Sequence, residues 1–137
     1  QRAALDLGSL AFKRKEWKDA AALARAAAPS DDEVVRAEAW LLAGEADLKL
    51  KRYPDAVKAF EGVGAVDGVE ASVRYRALAG LGLAHEELRH WRPALTAYEA
   101  VAGKSPDAGL RDWAQERVKA VKARLVKPSD ARPKGKS

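Results

Sequence analysis

A pattern of glycine, aromatic residue and alanine occurs three times in this chain, and successive copies are 36 and 38 residues apart. In each copy an aromatic residue follows the glycine, and an alanine follows the aromatic residue within one helical turn. The copies are Gly8, Trp17 and Ala20; Gly44, Tyr53 and Ala56; and Gly82, Trp91 and Ala94. Repeats of this length are typical of stacked helical hairpins, in which each unit buries its apolar face against its neighbours. The pattern therefore predicts a helical-repeat architecture.

The composition favours helices over strands. Apolar residues make up 47% and charged residues 33% of the 137 residues, which is typical of one folded domain with a continuous core. Alanine is abundant and β-branched residues are few. No apolar run approaches the roughly 20 residues that a membrane-spanning helix needs. The sequence therefore predicts an all-α domain with no membrane span.

Capping residues and apolar periodicity indicate where the helices begin and end. Residues 30–32 offer N-cap oxygens, and Pro54 and Pro93 lie near the first turn of a helix, where a missing N–H costs little. We expect a longer loop between two repeats, from Gly62 to Gly68. The predicted helices run near Arg2–Arg14, Trp17–Ala28, Glu33–Leu50, Val69–Arg89 and Trp91–Gly103, with a further helix that begins near Tyr53.

The repeated glycines lie in the middle of predicted helices, where glycine costs on the order of 1 kcal/mol relative to alanine. A cost that recurs three times needs a structural reason, and close approach of the paired helix supplies one. We expect Ala20, Ala56 and Ala94 to be the small residues opposite these glycines.

These positions resemble the tetratricopeptide repeat (TPR) family. The matches are Leu7, Gly8, Trp17, Ala20 and Ala27; Trp40, Gly44, Tyr53, Ala56 and Phe60; and Leu78, Leu81, Gly82, Trp91, Ala94, Tyr98 and Pro106. The resemblance implies a right-handed α-solenoid of three antiparallel helical hairpins, with repeats at about 1–30, 34–66 and 71–106. Asp47 and His85 depart from the family pattern, which often has Tyr at these places.

The chain beyond Pro106 lacks the glycine pattern. Residues 107–126 predict one more helix, which we interpret as a cap that covers the last hairpin with a polar outer side. Its predicted apolar stripe is Leu110, Trp113, Ala114, Val118, Val121 and Leu125. Residues 127–137 are predicted to form a basic, flexible tail. The net charge of +5 comes from residues 119–137, which carry 7 Lys and Arg against 1 Asp, because residues 1–118 carry 18 Lys and Arg against 19 Asp and Glu.

Sequence motifs for catalysis or metal binding are lacking. His85 and His90 resemble the zinc motif H-E-x-x-H, but position 89 is Arg, and two residues five apart on a continuous helix point about 140° apart. The chain has no cysteine and no phosphate-binding glycine loop. We therefore expect no metal, no cofactor, no small-molecule substrate and no enzymatic activity.

The resemblance implies a concave groove lined by the first helix of each hairpin. Such a groove suits an amphipathic helix or an extended segment of a partner protein. Packing between repeats is the alternative role for Leu41, Leu48 and Leu83. The predicted groove residues are Leu5, Ser9, Phe12, Lys13, Leu41, Glu45, Leu48, Lys49, Arg76, Leu83, Glu86 and Glu87.

The sequence thus favours a protein–protein interaction module or scaffold, and two alternatives stay open. One is weak polyanion binding, to nucleic acid or an anionic membrane, through the basic C-terminal end. The other is a structural segment of a longer solenoid, since the chain begins at Gln1 within a predicted helix and its first repeat is rich in alanine. Cytoplasm and bacterial periplasm are both compatible with a chain that has no cysteine.

Overall fold

A computed structural model describes residues 1–126, and in this range the chain forms seven α-helices and no strand. The prediction of an all-α chain is therefore confirmed. The predicted tail at 127–137 lies outside the described residues. The helices are α1 (Arg2–Lys13), α2 (Trp17–Ala27), α3 (Glu33–Lys49), α4 (Tyr53–Gly64), α5 (Ala71–Glu87), α6 (Trp91–Lys104) and α7 (Ala108–Val126).

The observed helix ends follow the predicted ones closely, with one correction. The loop expected from Gly62 to Gly68 begins later, because α4 continues through Gly64. Gly62 stays helical since it packs closely against a neighbouring side chain: a Cβ added there would lie 2.8 Å from Cγ of Trp40. Gly62, which the sequence had placed in a loop, is therefore a helical residue that makes room for the indole ring of Trp40.

The turns within the three helix pairs share one backbone conformation. Lys15, Lys51 and Arg89 adopt left-handed φ angles of 63°, 60° and 62°. The next residue in each turn donates its N–H to a carbonyl five positions earlier, at distances of 2.8 to 2.9 Å. This hydrogen bond is typical of the Schellman motif, which normally uses glycine at the left-handed position. The repeat in sequence is therefore also a repeat in turn geometry.

An arginine ties the connector before α3, and another the connector before α7, to the helix that follows. Arg36 donates to the carbonyl oxygen of Ser30 at 2.9 Å, and Arg111 donates to that of Ser105 at 2.8 Å. In both connectors the serine hydroxyl accepts an N–H two residues on, from Asp32 or Asp107. The start of α7 therefore reproduces the start of α3, although the sequence pattern of α7 had suggested no repeat.

Each helix packs against the next one along the chain, and α3 also contacts α1 and α5. The odd-numbered helices α3, α5 and α7 pack equivalent positions against the preceding helix, and all of these are buried except the partly buried Leu81 and Val118. These positions are Ala39, Ala43 and Ala46 in α3; Ala77, Leu81 and Ala84 in α5; and Ala114, Val118 and Val121 in α7. The helices α3, α5 and α7 therefore pack on the preceding helix in the same way, and one face of α7 follows the pattern of the repeats.

The other side of α7 differs from its counterpart in α3. Where α3 has Ala37, Leu41 and Gly44 buried against its neighbours, α7 has exposed, mostly charged residues. The three equivalent residues are Asp112, Glu116 and Lys119, and the exposed Ala123 follows one turn later. One side of α7 therefore packs as in a repeat, while the other is suited to water.

Two of the three repeated mid-helix glycines face aromatic rings, whereas Gly8 lies against Leu23 and Leu42. A Cβ added to Gly44 would lie 2.6 Å from Cε1 of Phe60, and one added to Gly82 would lie 2.6 Å from Cδ1 of Tyr98. The nearest atoms to these glycines therefore belong to the aromatic rings and not to Ala56 or Ala94. The rings come one helical turn later than those alanines, and they fill the space that the missing side chains leave.

Candidate functional site

A shallow groove runs across α3, α5 and α7, with a volume of about 350 Å³. Four of the twelve predicted groove residues meet in it. The floor is formed by Ala79 and Gly80 of α5, and both of these residues are buried. The lining residues are Glu45, Leu48, Arg76, Ala79, Gly80, Leu83, Leu110 and Trp113. Apolar walls and two charged groups at the rim are the features of a site for a segment with an apolar anchor.

The charged rim of this groove is an ion pair between two helices. Nη2 of Arg76 lies 2.9 Å from Oε1 and 2.8 Å from Oε2 of Glu45. The Arg76 side chain is 55% exposed, so solvent or a ligand can reach its guanidinium group. An exposed pair of this kind contributes little to stability, typically below about 1 kcal/mol. Arg76 is therefore available to a carboxylate of a ligand at small cost to the fold.

Two of the predicted groove leucines lie in the core. Leu5 and Leu41 are each 4% exposed and belong to buried clusters of apolar side chains. Their prediction as groove residues is corrected, because a side chain that is already buried cannot anchor a partner. Leu48 and Leu83 also pack on the core but keep part of their surface open in the groove. Of the predicted groove leucines, Leu48 and Leu83 therefore line the groove, whereas Leu5 and Leu41 pack in the core.

Glu86 faces another group of side chains. Its Oε1 accepts a hydrogen bond of 2.7 Å from the Tyr98 hydroxyl, and its Oε2 pairs with Arg117 of α7. Burial raises the pKa of Tyr98 above its ordinary value, and the neighbouring Glu86 carboxylate raises it further. Trp113 packs edge-on against Tyr98 with ring centroids 5.6 Å apart. Glu86 therefore joins α5 to α6 and α7, and is not a lining residue of the groove.

The remaining predicted residues lie apart from the groove. Phe12 is half-buried and packs edge-on against Trp17, with ring centroids 4.9 Å apart. Lys49 is exposed, and its Nζ lies 5.5 Å from the centre of the same Trp17 ring. The others are exposed on α1 or at the end of α5: Ser9, Lys13 and Glu87.

Leu110 and Trp113 are site residues that the sequence had placed in the cap alone. They reach the groove because α7 begins as α3 does, and its first turns then lie beside α5. A signal for this was present in the sequence. Ser30, Asp32 and Arg36 recur at the same spacing as Ser105, Asp107 and Arg111.

The two histidines lie closer together than a continuous helix would allow. Nδ1 of His85 and Nδ1 of His90 are 3.3 Å apart, so the expectation that they point apart is wrong. The helix ends at Glu87, and the left-handed turn at Arg89 brings His90 back towards His85. Burial and the neighbouring His90 lower the pKa of His85, while Glu61 opposes this effect. Within residues 1–126, no group of three or more His, Asp or Glu side chains has a geometry that could hold a metal ion.

A larger cavity of about 470 Å³ lies beneath the connector between α4 and α5. Phe60, Val63 and Ala77 form part of its wall, and each is at most 4% exposed. Such walls indicate a gap in the core packing behind the connector. The groove across α3, α5 and α7 instead presents four partly exposed apolar side chains, and is the better candidate for binding a macromolecule: Leu48, Leu83, Leu110 and Trp113.

The described part of the basic end makes contacts within the chain. The Lys119 ammonium lies 3.5 Å from a Glu116 carboxylate oxygen, and the Arg124 guanidinium lies 4.5 Å from the centre of the Trp91 ring. Further cations predicted for polyanion binding lie beyond residue 126, outside the described residues. No helix within the described range is both long enough and apolar enough to cross a membrane.

Comparison with known proteins gives no match to a family model, to a curated protein or to a solved structure. The geometry of the chain itself therefore carries what can be inferred about its function.

Proposed function

We propose that this chain is a TPR-like helical-repeat protein without enzymatic activity, and that it binds a helix or an extended segment of a partner protein. Its architecture would be a right-handed solenoid of three antiparallel hairpins, with α7 as the cap. Support for this arrangement comes from the three matching turns and from the regular burial of equivalent positions in α3, α5 and α7.

The observation that carries the proposed function is the groove across α3, α5 and α7. Leu48, Leu83 and Trp113 provide an apolar wall that is partly open to solvent. Aromatic and aliphatic anchors in such pockets dominate the binding energy of protein interfaces. The Glu45–Arg76 pair beside them adds a polar rim, which fixes the orientation of a bound segment more than its affinity.

The test is selection of random displayed peptides on the immobilised protein, followed by measurement of their affinity by fluorescence polarisation. We expect the selected peptides to carry an apolar anchor and to bind Leu83→Gln about tenfold or more weakly than the unchanged protein. Val34→Gln is the matched control, because Val34 is 57% exposed and lies outside this groove. Far-UV circular dichroism checks that both variants are folded.

Equal affinity of the selected peptides for Leu83→Gln and for the unchanged protein would contradict groove binding. Polyanion binding through the basic end remains a hypothesis from sequence. Its measurement is salt-dependent binding of duplex DNA, which should disappear on deletion of residues 127–137.

A further inference from the structure

The outer face of α1 exposes apolar side chains at positions that later helices bury. We define this face by Ala3, Leu7 and Leu10, which lie 36 residues before Ala39, Ala43 and Ala46 of α3. Leu7 is 55% and Leu10 42% exposed, whereas each of the three alanines in α3 is 0% exposed. The same repeat position is thus a buried contact in one helix and an open surface in another.

The buried versions of this face show what covers it. In α3 the covering helix is α2, whose Ala24 and Ala27 share a core cluster with Ala39 and Ala43. In α5 the covering helix is α4, and in α7 it is α6. Each time, the second helix of a pair lies on the first helix of the next one. Within the described residues, the equivalent face is therefore covered by a preceding helix in three places, on α3, α5 and α7.

An open groove borders the outer face of α1. A groove of about 370 Å³ runs between α1 and α2, with apolar walls that include Leu7, Leu10 and Leu23. Arg14 and Asp19 lie at its edge, so the rim offers both signs of charge to a neighbour. The outer side of α7 is charged, which makes it a poor complement to this groove in a second copy of the chain.

We propose that the outer face of α1 is a docking surface for the second helix of a helical hairpin in a partner protein. The occupant presents small apolar side chains, chiefly alanine, and lies on α1 as α2 lies on α3. Its contact with α1 would repeat the packing of α2 on α3, of α4 on α5 and of α6 on α7. The surface is separate from the groove across α3, α5 and α7, so one partner can be held at each.

The test adds a second copy of α2 to the chain, at the position from which it can pack on α1. A variant chain carries a second copy of residues 1–36 directly before Gln1, which places an added α2 ahead of α1 at the spacing that separates α2 from α3. We expect this extended chain to unfold in one transition, with a Tm about 5 °C above that of the unextended chain.

The substitution Leu7→Glu, made in the original α1, separates docking from a general effect of length. In the extended chain it should remove the gain in Tm, because it places a carboxylate in the new contact. In the unextended chain it should leave Tm unchanged, because Leu7 is exposed there. Val126→Glu, at a 75% exposed site on α7, is the control and should change neither protein.

Two results would overturn the proposal. The first is an extended chain with no gain in Tm, with two separate transitions, or with a gain that Leu7→Glu does not remove. The second is self-association of the unextended chain in sedimentation velocity that Leu7→Glu abolishes, since the face would then belong to a second copy. A monomer that gains stability only from the added helix supports the proposal.

Discussion

Arg25 of α2 and Asp47 of α3 form a bidentate ion pair, with Nη1–Oδ1 and Nη2–Oδ2 distances of 3.2 and 2.8 Å. The Asp47 side chain is 1% exposed, whereas that of Arg25 is 36% exposed. The repeat places Glu61 and His85 at the equivalent positions, so the order of acidic and basic residues is reversed there. Asp47 and His85 are also the departures from the TPR pattern, and each faces a charged residue of the preceding helix pair.

Removal of Arg25 should be costly, because it leaves a buried carboxylate without its partner. We expect Arg25→Ala to lower the free energy of unfolding by about 3 kcal/mol in urea denaturation. Arg76→Ala is the matched control, because it breaks a pair of similar geometry at an exposed site. Its expected cost is below about 1 kcal/mol, and equal losses would contradict the role assigned to burial.

A side chain at Gly82 should disturb the core. We expect Gly82→Ala to destabilise the fold by about 2 kcal/mol, because the added methyl group would collide with the rigid, buried ring of Tyr98. Gly103→Ala tests the same substitution in α6, where the described structure offers no atom within 4 Å of the new Cβ. There helix propensity should give a gain of about 0.5 kcal/mol. Opposite signs in thermal unfolding confirm the packing role of Gly82.

Asp107, which caps the N-terminus of α7, should stabilise the packing of α7 against α6. Asp107 accepts a hydrogen bond of 3.0 Å from the N–H of Leu110. We expect Asp107→Ala to cost about 1 kcal/mol, and hydrogen exchange should then rise first in α7. Asp107→Asn keeps an oxygen acceptor and should retain most of the stability. A loss of equal size in both variants would exclude the hydrogen bond as the cause.

Stability should fall as the pH is lowered through the ordinary pKa of His85, because the pKa of this imidazole is lowered in the folded protein. The unfolded chain takes up the proton first, so protonation favours unfolding below about pH 6.5. We expect His85→Gln to reduce the loss of stability between about pH 7.5 and pH 5.5. His90→Gln removes only the repulsion between the rings and should reduce it less. Parallel pH profiles for all three proteins would contradict this prediction.

The α-helices and their positions could be predicted well from this sequence, since apolar periodicity, N-cap residues and the repeat all agree. The sites of two glycines show the limit. Gly44 and Gly82 were expected to face alanines, yet they receive the rings of Phe60 and Tyr98. Sequence spacing gives the helix face on which a residue lies, but the size of its side chain decides which residue reaches across to the neighbouring helix.

The groove was predictable in part for a related reason. Leu48 and Leu83 were expected at its wall and do lie there, while Leu41 turned inward to the core. Leu110 and Trp113 were not expected there, although the start of α7 repeats the serine, aspartate and arginine spacing of the start of α3. Contacts between helices far apart in sequence depend on packing that a single helical pattern does not specify.

The charged outer side of α7 has a consequence for assembly. Head-to-tail growth requires two unlike surfaces that fit each other and recur on every copy, and a rotation that does not close then produces a fibre. Asp112, Glu116 and Lys119 give one end of the described chain a surface that water solvates well. In head-to-tail contact, the apolar patch at the other end would meet this charged side of α7 on a neighbouring copy. Crowded solutions of this protein should stay free of filaments, despite the leucines exposed on α1.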